Sequence, residues 1–273
     1  MKYTASLLAL TFVLTACGSP ESDSAPPLSA KAPVDLRVTA ELETGIMAKA
    51  ITVMPNDAAQ WVSQVVMIDE NGDLYQSGLD DRKARHVKGK ATHIAGIMRR
   101  GAAGLVLSLT PSGGFGAYIE SDDEGTLAPL PISAPDIKPK GFCVSASAPE
   151  DSIYVRTEDG AQAMLIDVTE DNSAVSLSLG GDPLEACPNI STLFAYEGDS
   201  YALPPRLVDG RGVSITEGIT IAGASALSGI YVTTDNLGAT YSKGAVLAAD
   251  ANAKRLVIIS LEFANRTLAA PSP

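Results

Sequence analysis

Two histidines and three cysteines are the only imidazole and thiol donors in 273 residues. His86, His93 and the two cysteines of the chain's body, Cys143 and Cys187, fall at no metal-ligand spacing, which argues against a zinc or haem centre. Positive charge is scarce as well. Twenty Lys and Arg stand against 32 Asp and Glu, for a formal net charge of −12. Such a chain has no charge-driven route to nucleic acid or anionic lipid; divalent cations, or anions that arrive with them, are the partners it admits. A long amphipathic helix is missing, and so is a nucleophile motif: Ser112-Gly113-Gly114 lacks the strand-to-helix elbow that an activated serine needs. The apolar run Ala5–Thr15 is too short to span a bilayer as a helix.

That run has the length of a secretory signal core, and Lys2 supplies the positive charge before it. Leu14-Thr15-Ala16-Cys17, followed by Gly18, resembles the lipobox of bacterial lipoprotein precursors. The resemblance implies cleavage after residue 16, a diacylglycerol on the Cys17 thiol, and membrane anchoring through that lipid. By analogy with lipoprotein sorting, Gly18 in place of an acidic residue favours the outer membrane, with the periplasmic or the cell-surface face left open. An ordinary secretory signal that happens to hold a cysteine is the alternative. Residues 17–34, rich in Pro, Ser and Ala, bury too little to fold and are read as a flexible tether. Residues 35–266 then form the folded body, and 267–273 a tail.

Within the body, short strand-like runs alternate with turn residues. LRVTAEL (36–42), VVMID (65–69), GLVLSL (104–109), SIYVR (152–156), AVSLSL (174–179), GIYVTT (229–234) and RLVIISL (255–261) carry the pattern. Glu70-Asn71-Gly72-Asp73 and Glu158-Asp159-Gly160 mark tight hairpins. The fold class is therefore all-β. Four runs, 91–98, 140–147, 184–191 and 216–223, each hold a small residue near the centre: Gly96, Gly141, Ala186 and Gly218. The steps between them are 45, 45 and 32 residues. A period of about 40–45 residues with four strands per unit is that of a β-propeller blade, whose innermost strands crowd a central channel. There is room for about five blades. A closed five-bladed ring and an incomplete six-bladed one with an open edge both fit, and a β-sandwich is the alternative fold. Cys143 and Cys187 lie 44 residues apart, one blade step, at positions that would be equivalent on neighbouring inner strands. A disulfide and a pair of free thiols are both open. Trp61 is read as an anchor between sheets.

Several segments, in order, resemble the β-propeller phytases, calcium-dependent enzymes that release phosphate from inositol hexakisphosphate. Asn56-Asp57-Ala58-Ala59-Gln60-Trp61 is similar to that family's Asp-Asp-Pro-Ala-Ile-Trp opening, and Asp69 to Leu74 to its Asp-Lys-Lys-Gly-Gly-Leu hairpin. Gly141-Phe142-Cys143-Val144, Glu185-Ala186-Cys187, Leu193–Glu197 and Thr216-Glu217-Gly218-Ile219-Thr220-Ile221 each resemble a family strand. Tyr231–Tyr241 is similar to the segment that follows the last of these. The resemblance implies a carboxylate-lined channel in which calcium bridges the acidic protein to phosphate and activates water. Asp57, Asp69, Glu185, Glu197, Glu217 and Asp235 are the oxygen ligands it suggests, against the plainer reading of acidic residues on a solvated face.

The chain departs from the family at the same places. Asn56 replaces the first opening aspartate, Gly198 the second of a glutamate pair, and Pro188-Asn189-Ile190-Ser191 the aspartates after the cysteine strand. Thr92-His93-Ile94-Ala95 replaces Asn-Asn-Val-Asp, and the family's Ser-Asn-Arg phosphate contact reads Ser108-Leu109-Thr110. His93 is read as a hydrogen-bonded strand-end residue, and Arg99-Arg100 as surface. Cations that share carboxylates in one cleft lose more than one site when a ligand is lost. The expectation is a lipid-anchored, phytase-like propeller serving as an accessory or binding module for inositol phosphate or another propeller. An active calcium-dependent phosphomonoesterase and a generic outer-membrane propeller scaffold for protein partners are the alternatives.

Overall fold

A computed structural model describes residues 32–81, 83–121, 125–143, 151–187, 193–197 and 200–269. The chain opens with two strands that belong to sheets formed much later, β1 (Val34–Arg37) and β2 (Ala40–Leu42). A first antiparallel sheet follows: β3 (Ala48–Met54), β4 (Gln64–Asp69), β5 (Asp73–Gly78) and β6 (Arg85–Lys90), paired in sequence order. The second repeats the plan with β7 (His93–Ile97), β8 (Leu105–Leu109), β9 (Phe115–Glu120) and β10 (Leu127–Leu130). In the third, β12 (Gly141–Phe142), β13 (Ser152–Thr157), β14 (Gly160–Val168) and β15 (Val175–Leu179) gain β11 (Ile132–Ser133) as a parallel outer strand. The fourth unit is irregular: a small hairpin of β16 (Tyr196–Glu197) and β17 (Ser200–Tyr201), then β18 (Val213–Thr216). The fifth holds β19 (Leu227–Thr233), β20 (Ala245–Asp250) and β21 (Arg255–Ser260), followed by the helix α1 (Leu261–Ala269).

These units form a five-bladed propeller. The first strands of successive sheets neighbour one another: β19 lies beside β3, β3 beside β7, and β7 beside β12. β17 of the fourth unit lies beside β19. Close approach demands small residues here. A Cβ on Gly96 would fall inside the Val53 carbonyl of the adjacent β3, and its N–H donates to Thr52 Oγ1 at 2.8 Å. Each sheet keeps the two-residue alternation where one face meets solvent, as in β14. Central strands such as β4 and β20 are buried throughout, as expected when sheets pack on both faces.

The ring is closed by the start of the chain. β2 pairs antiparallel with β21 as the outer strand of the fifth sheet, and β1 runs parallel to β18 in the fourth. The open edge that an incomplete ring would leave is covered in this way, because the fully buried Leu36 and Leu42 gain more from the cores of the late sheets than from solvent.

All seven strand-like runs contain strands, and both turn motifs join hairpins. The β4–β5 turn places Gly72 at φ 81, a backbone that suits glycine. Two of the four markers are displaced. Gly96 and Gly141 stand in innermost strands, but Gly218 lies in a turn after β18, where its N–H donates to Ile221 O. Ala186 lies beyond an isolated bridge of Leu184 to Ala161. The innermost strand of the fifth sheet is β19, with Gly229 against Lys49 O. Helix α1 continues through Ala269, past the boundary at 266, with Leu268 packed on the core. Among the described residues no helix is long and apolar enough to cross a membrane.

Trp61 is not an anchor between sheets. It sits in a one-turn 3-10 helix, Gln60–Val62, between β3 and β4, with 71% of its surface exposed. The strands on either side are already filled by Val53, Met54 and Val65, and Gly238 packs against the Trp61 backbone, so the indole turns outward. Cys143 and Cys187 form a disulfide with Cα atoms 5.5 Å apart. Cys143 directly follows β12, but Cys187 lies on no strand, just past the bridge of Leu184 to the third sheet, so the two do not occupy equivalent places on neighbouring inner strands.

Candidate central-channel binding site

Where the innermost strands converge they enclose a cavity of about 790 Å3. Its walls come from all five units: Ile51 and Thr52 of β3, Ala95 of β7, Phe142 of β12, Tyr201 of β17 and Tyr231 of β19. Strand sterics set this composition. Backbones approach at the glycines, and the longer side chains that remain project into the bore.

One stretch of wall is aromatic. Tyr196 and Tyr201 stack with ring centroids 4.5 Å apart, and the Tyr196 hydroxyl donates to the Tyr201 oxygen at 3.1 Å. Tyr201 donates in turn to Val232 O at 3.3 Å, which ties the fourth unit to the fifth. Burial, reinforced by Tyr196, raises the Tyr201 hydroxyl far above its ordinary pKa. Burial first, and the neighbouring Asp235 carboxylate second, push Tyr231 up to about 12. Both phenols are therefore neutral donors at physiological pH.

The carboxylates stand at the two mouths. Asp69, Glu70 and Asn71 line one, beside Lys49 and His93; Asp151 and Asp235 line the other. Asp69 pairs with Ala48 at the beginning of β3, whereas Asp235 follows Thr233, beyond the level at which β19 meets Thr52. Some six or seven residues of strand separate the levels, on the order of 20 Å. A single cation cannot bridge them. Asp69 is also engaged locally: Oδ1 accepts the N–H groups of Asn71 at 2.8 Å and Asp73 at 2.9 Å, which shapes the hairpin turn. Asp235 is half-buried, and desolvation raises its pKa although Thr233 Oγ1 donates to its Oδ2 at 2.7 Å.

The other suggested ligands lie elsewhere. Asp57 is exposed, and its Oδ2 accepts the Gly101 N–H at 2.7 Å, pinning the β3–β4 loop to the β7–β8 loop. Glu185 and Glu217 are exposed and line no part of the cavity. Glu197 is on β16, with its side chain outside the described residues, as is Cys17. Among the described residues no group of three or more His, Cys, Asp or Glu is gathered closely enough to hold a metal ion. His93 lines the cavity with Nδ1 3.1 Å from Thr92 Oγ1, in keeping with a hydrogen-bonded strand-end residue. The tyrosine wall was not singled out from sequence. The alternation of GIYVTT, which puts Tyr231 and Thr233 on one strand face, is the signal that would have found part of it.

No protein-family model matches this chain, and no curated protein matches it. Among solved structures it is similar to an auxiliary nutrient binding protein of Bacteroides thetaiotaomicron, at 10% identity and a TM-score of 0.34 over 77% of this chain and 58% of that one. It is also similar to the N-terminal domain of Nup159, at 11% identity and 0.30 over 72% and 62%, and to the BBS1N chain crystallised with ARL6DN, at 13% and 0.30 over 77% and 64%. The chain spans less than two thirds of the length of each. Similarity at this level carries nothing about ligands, and the propeller assignment rests on the strand topology above.

Proposed function

We propose that this chain is a lipid-anchored binding module that takes its ligand in the central channel of the propeller. The observation that carries the reading is the cavity of about 790 Å3 shared by all five units. Its size and mixed aromatic and polar lining are those of a small-molecule site. The resemblance to β-propeller phytases makes phosphorylated polyols the first ligands to try. Asp69, Glu70, Asp151 and Asp235 line the walls against Lys49, so a polyanion gains entry only with divalent cations to screen the like charges. The scattered positions of the suggested ligands, and the engagement of Asp57 and Asp69 by backbone N–H groups, favour an accessory role over efficient phosphate release.

Isothermal titration of the mature domain with inositol hexakisphosphate, with calcium and with EDTA, tests this. Saturable binding that requires calcium, without release of phosphate, is the expected result. EDTA-sensitive phosphate release, reduced by Asp235→Asn in the channel wall, would make the chain an active phosphomonoesterase instead. Absence of binding under both conditions overturns the phosphorylated-ligand reading.

A further inference from the structure

The two mouths of the channel carry different chemistry. Among the described residues that line the cavity, Lys49 is the sole Lys or Arg. It stands at the Asp69 mouth, where its Nζ donates to Glu70 O at 3.3 Å. The opposite end holds the carboxylate of Asp235. The wall beside it includes Tyr231 of β19, Tyr201 of β17 and Leu203, an apolar side chain that is 40% exposed.

Strand geometry brings these groups to one level. Tyr231 and Thr233 share a face of β19, two residues or about 7 Å apart. Asp235 lies past the end of the strand, but the chain turns back on itself. Thr233 Oγ1 accepts the Asp235 N–H at 3.0 Å and donates to Asp235 Oδ2 at 2.7 Å. The carboxylate is thereby held at the level of Thr233, one place along the face from Tyr231, and its charge is felt at the Tyr231 hydroxyl. Tyr201 reaches the same level from the fourth unit, through its bond to Val232 O at 3.3 Å.

What this end offers a ligand follows from how its hydroxyls are spent. Tyr196 donates to Tyr201 and Tyr201 donates to Val232 O, so neither phenol has a proton left for an anion. The Tyr231 hydroxyl is engaged with Thr52 and the Val53 backbone. Asp235 is half-buried, and among the described residues no Lys or Arg pairs with it. A negative ligand is repelled here, whereas a positive one meets a partly desolvated carboxylate beside phenol rings. A strongly hydrated cation loses much of its water shell against Leu203. A methylated ammonium, weakly hydrated, gives up little, and its methyl groups pack on the apolar wall.

We propose that the Asp235 end of the channel is a subsite for an alkylated ammonium group, with Asp235 as its counter-ion and Tyr201 and Tyr231 as its aromatic walls. The subsite takes its ligand directly, without a metal ion, and so goes beyond the calcium-dependent reading of the channel.

Titration calorimetry of the purified protein with choline chloride, in EDTA and at low ionic strength, tests this. The comparison compound is 3,3-dimethyl-1-butanol, which has the shape of choline with carbon in place of the charged nitrogen. Saturable binding of choline is expected, with the neutral isostere weaker by about tenfold or more. Asp235→Asn should weaken choline by about tenfold and leave the isostere unchanged. Tyr231→Leu should weaken choline, and Tyr231→Phe, which keeps the ring, should retain it. No saturable choline binding, equal affinity for the two compounds, or full choline affinity in Asp235→Asn would overturn the subsite. Should Tyr231→Leu fail to fold, the charged and neutral compounds compared on the native chain decide the matter. Calcium-dependent binding of inositol hexakisphosphate is measured separately, so either reading can fail without the other.

Discussion

Gly96 shows how one residue limits the bore. Its Cα lies so close to Val53 O that even a methyl group displaces backbone rather than a yielding side chain. Gly96→Ala is expected to cost about 3 kcal/mol in urea unfolding, toward the upper end for overpacking. Asp235 offers a test with a definite sign. Desolvation raises its folded-state pKa above the ordinary 3.8, so ionisation is harder in the folded than in the unfolded chain. Its contribution is therefore most favourable below pH 3.8, where both states are protonated, and is lost as pH rises through the folded pKa. Asp235→Asn should stabilise the protein at pH 7 and have little effect below pH 3.8. Equal pH profiles for the two proteins in chemical denaturation would show that the carboxylate is not desolvated. Trp61 carries the opposite lesson to Gly96. Its size suggests a core residue, but whether a core place is free depends on the neighbouring strands.

At the scale of the element, the strands were legible because alternation, turn glycines and β-branched runs are local signals. Pairing partners were not. β1 and β2 close sheets whose other strands lie about 180 and 215 residues later in the chain, and no local signal encodes that distance. Arg255 helps to hold this closure. It pairs with the buried Asp250 at 3.3 Å, pairs with Glu41 on β2, and donates to the carbonyls of Ala222 and Gly223. Arg255→Ala leaves Asp250 buried without its cation and should cost about 3 kcal/mol in thermal or urea unfolding. A chain begun at Glu43 lacks both closing strands and exposes the edges of β18 and β21. It should self-associate in size-exclusion chromatography, and a peptide of residues 32–43 should restore the monomer.

For the whole molecule, the proposed lipid anchor on Cys17 and the channel are separable features with separate tests. Expressed with its leader in a bacterial envelope, the native chain should partition into the detergent phase, and Cys17→Ala should shift to the aqueous phase. An aqueous native chain would favour an ordinary secretory signal. The propeller should be unaffected in either case, because closure begins at β1, which starts at Val34. Of the six suggested carboxylates, the fold brings Asp69 and Asp235 to one cavity, and to opposite mouths of it. A place in a strand-like segment does not fix whether a side chain turns into the bore, caps a turn or faces solvent.

The sequence by itself determined the all-β class, the step between the second and third units, the acidic balance and the pair of cysteines, because each is written in neighbouring residues or in simple counts. The tertiary structure alone decided that the ring closes with five units, that the first strands complete the last sheets, which residues line the channel, and that Cys143 and Cys187 pair. These depend on contacts between residues distant in the chain. Their energies are set by which faces remain to be buried once every sheet is in place.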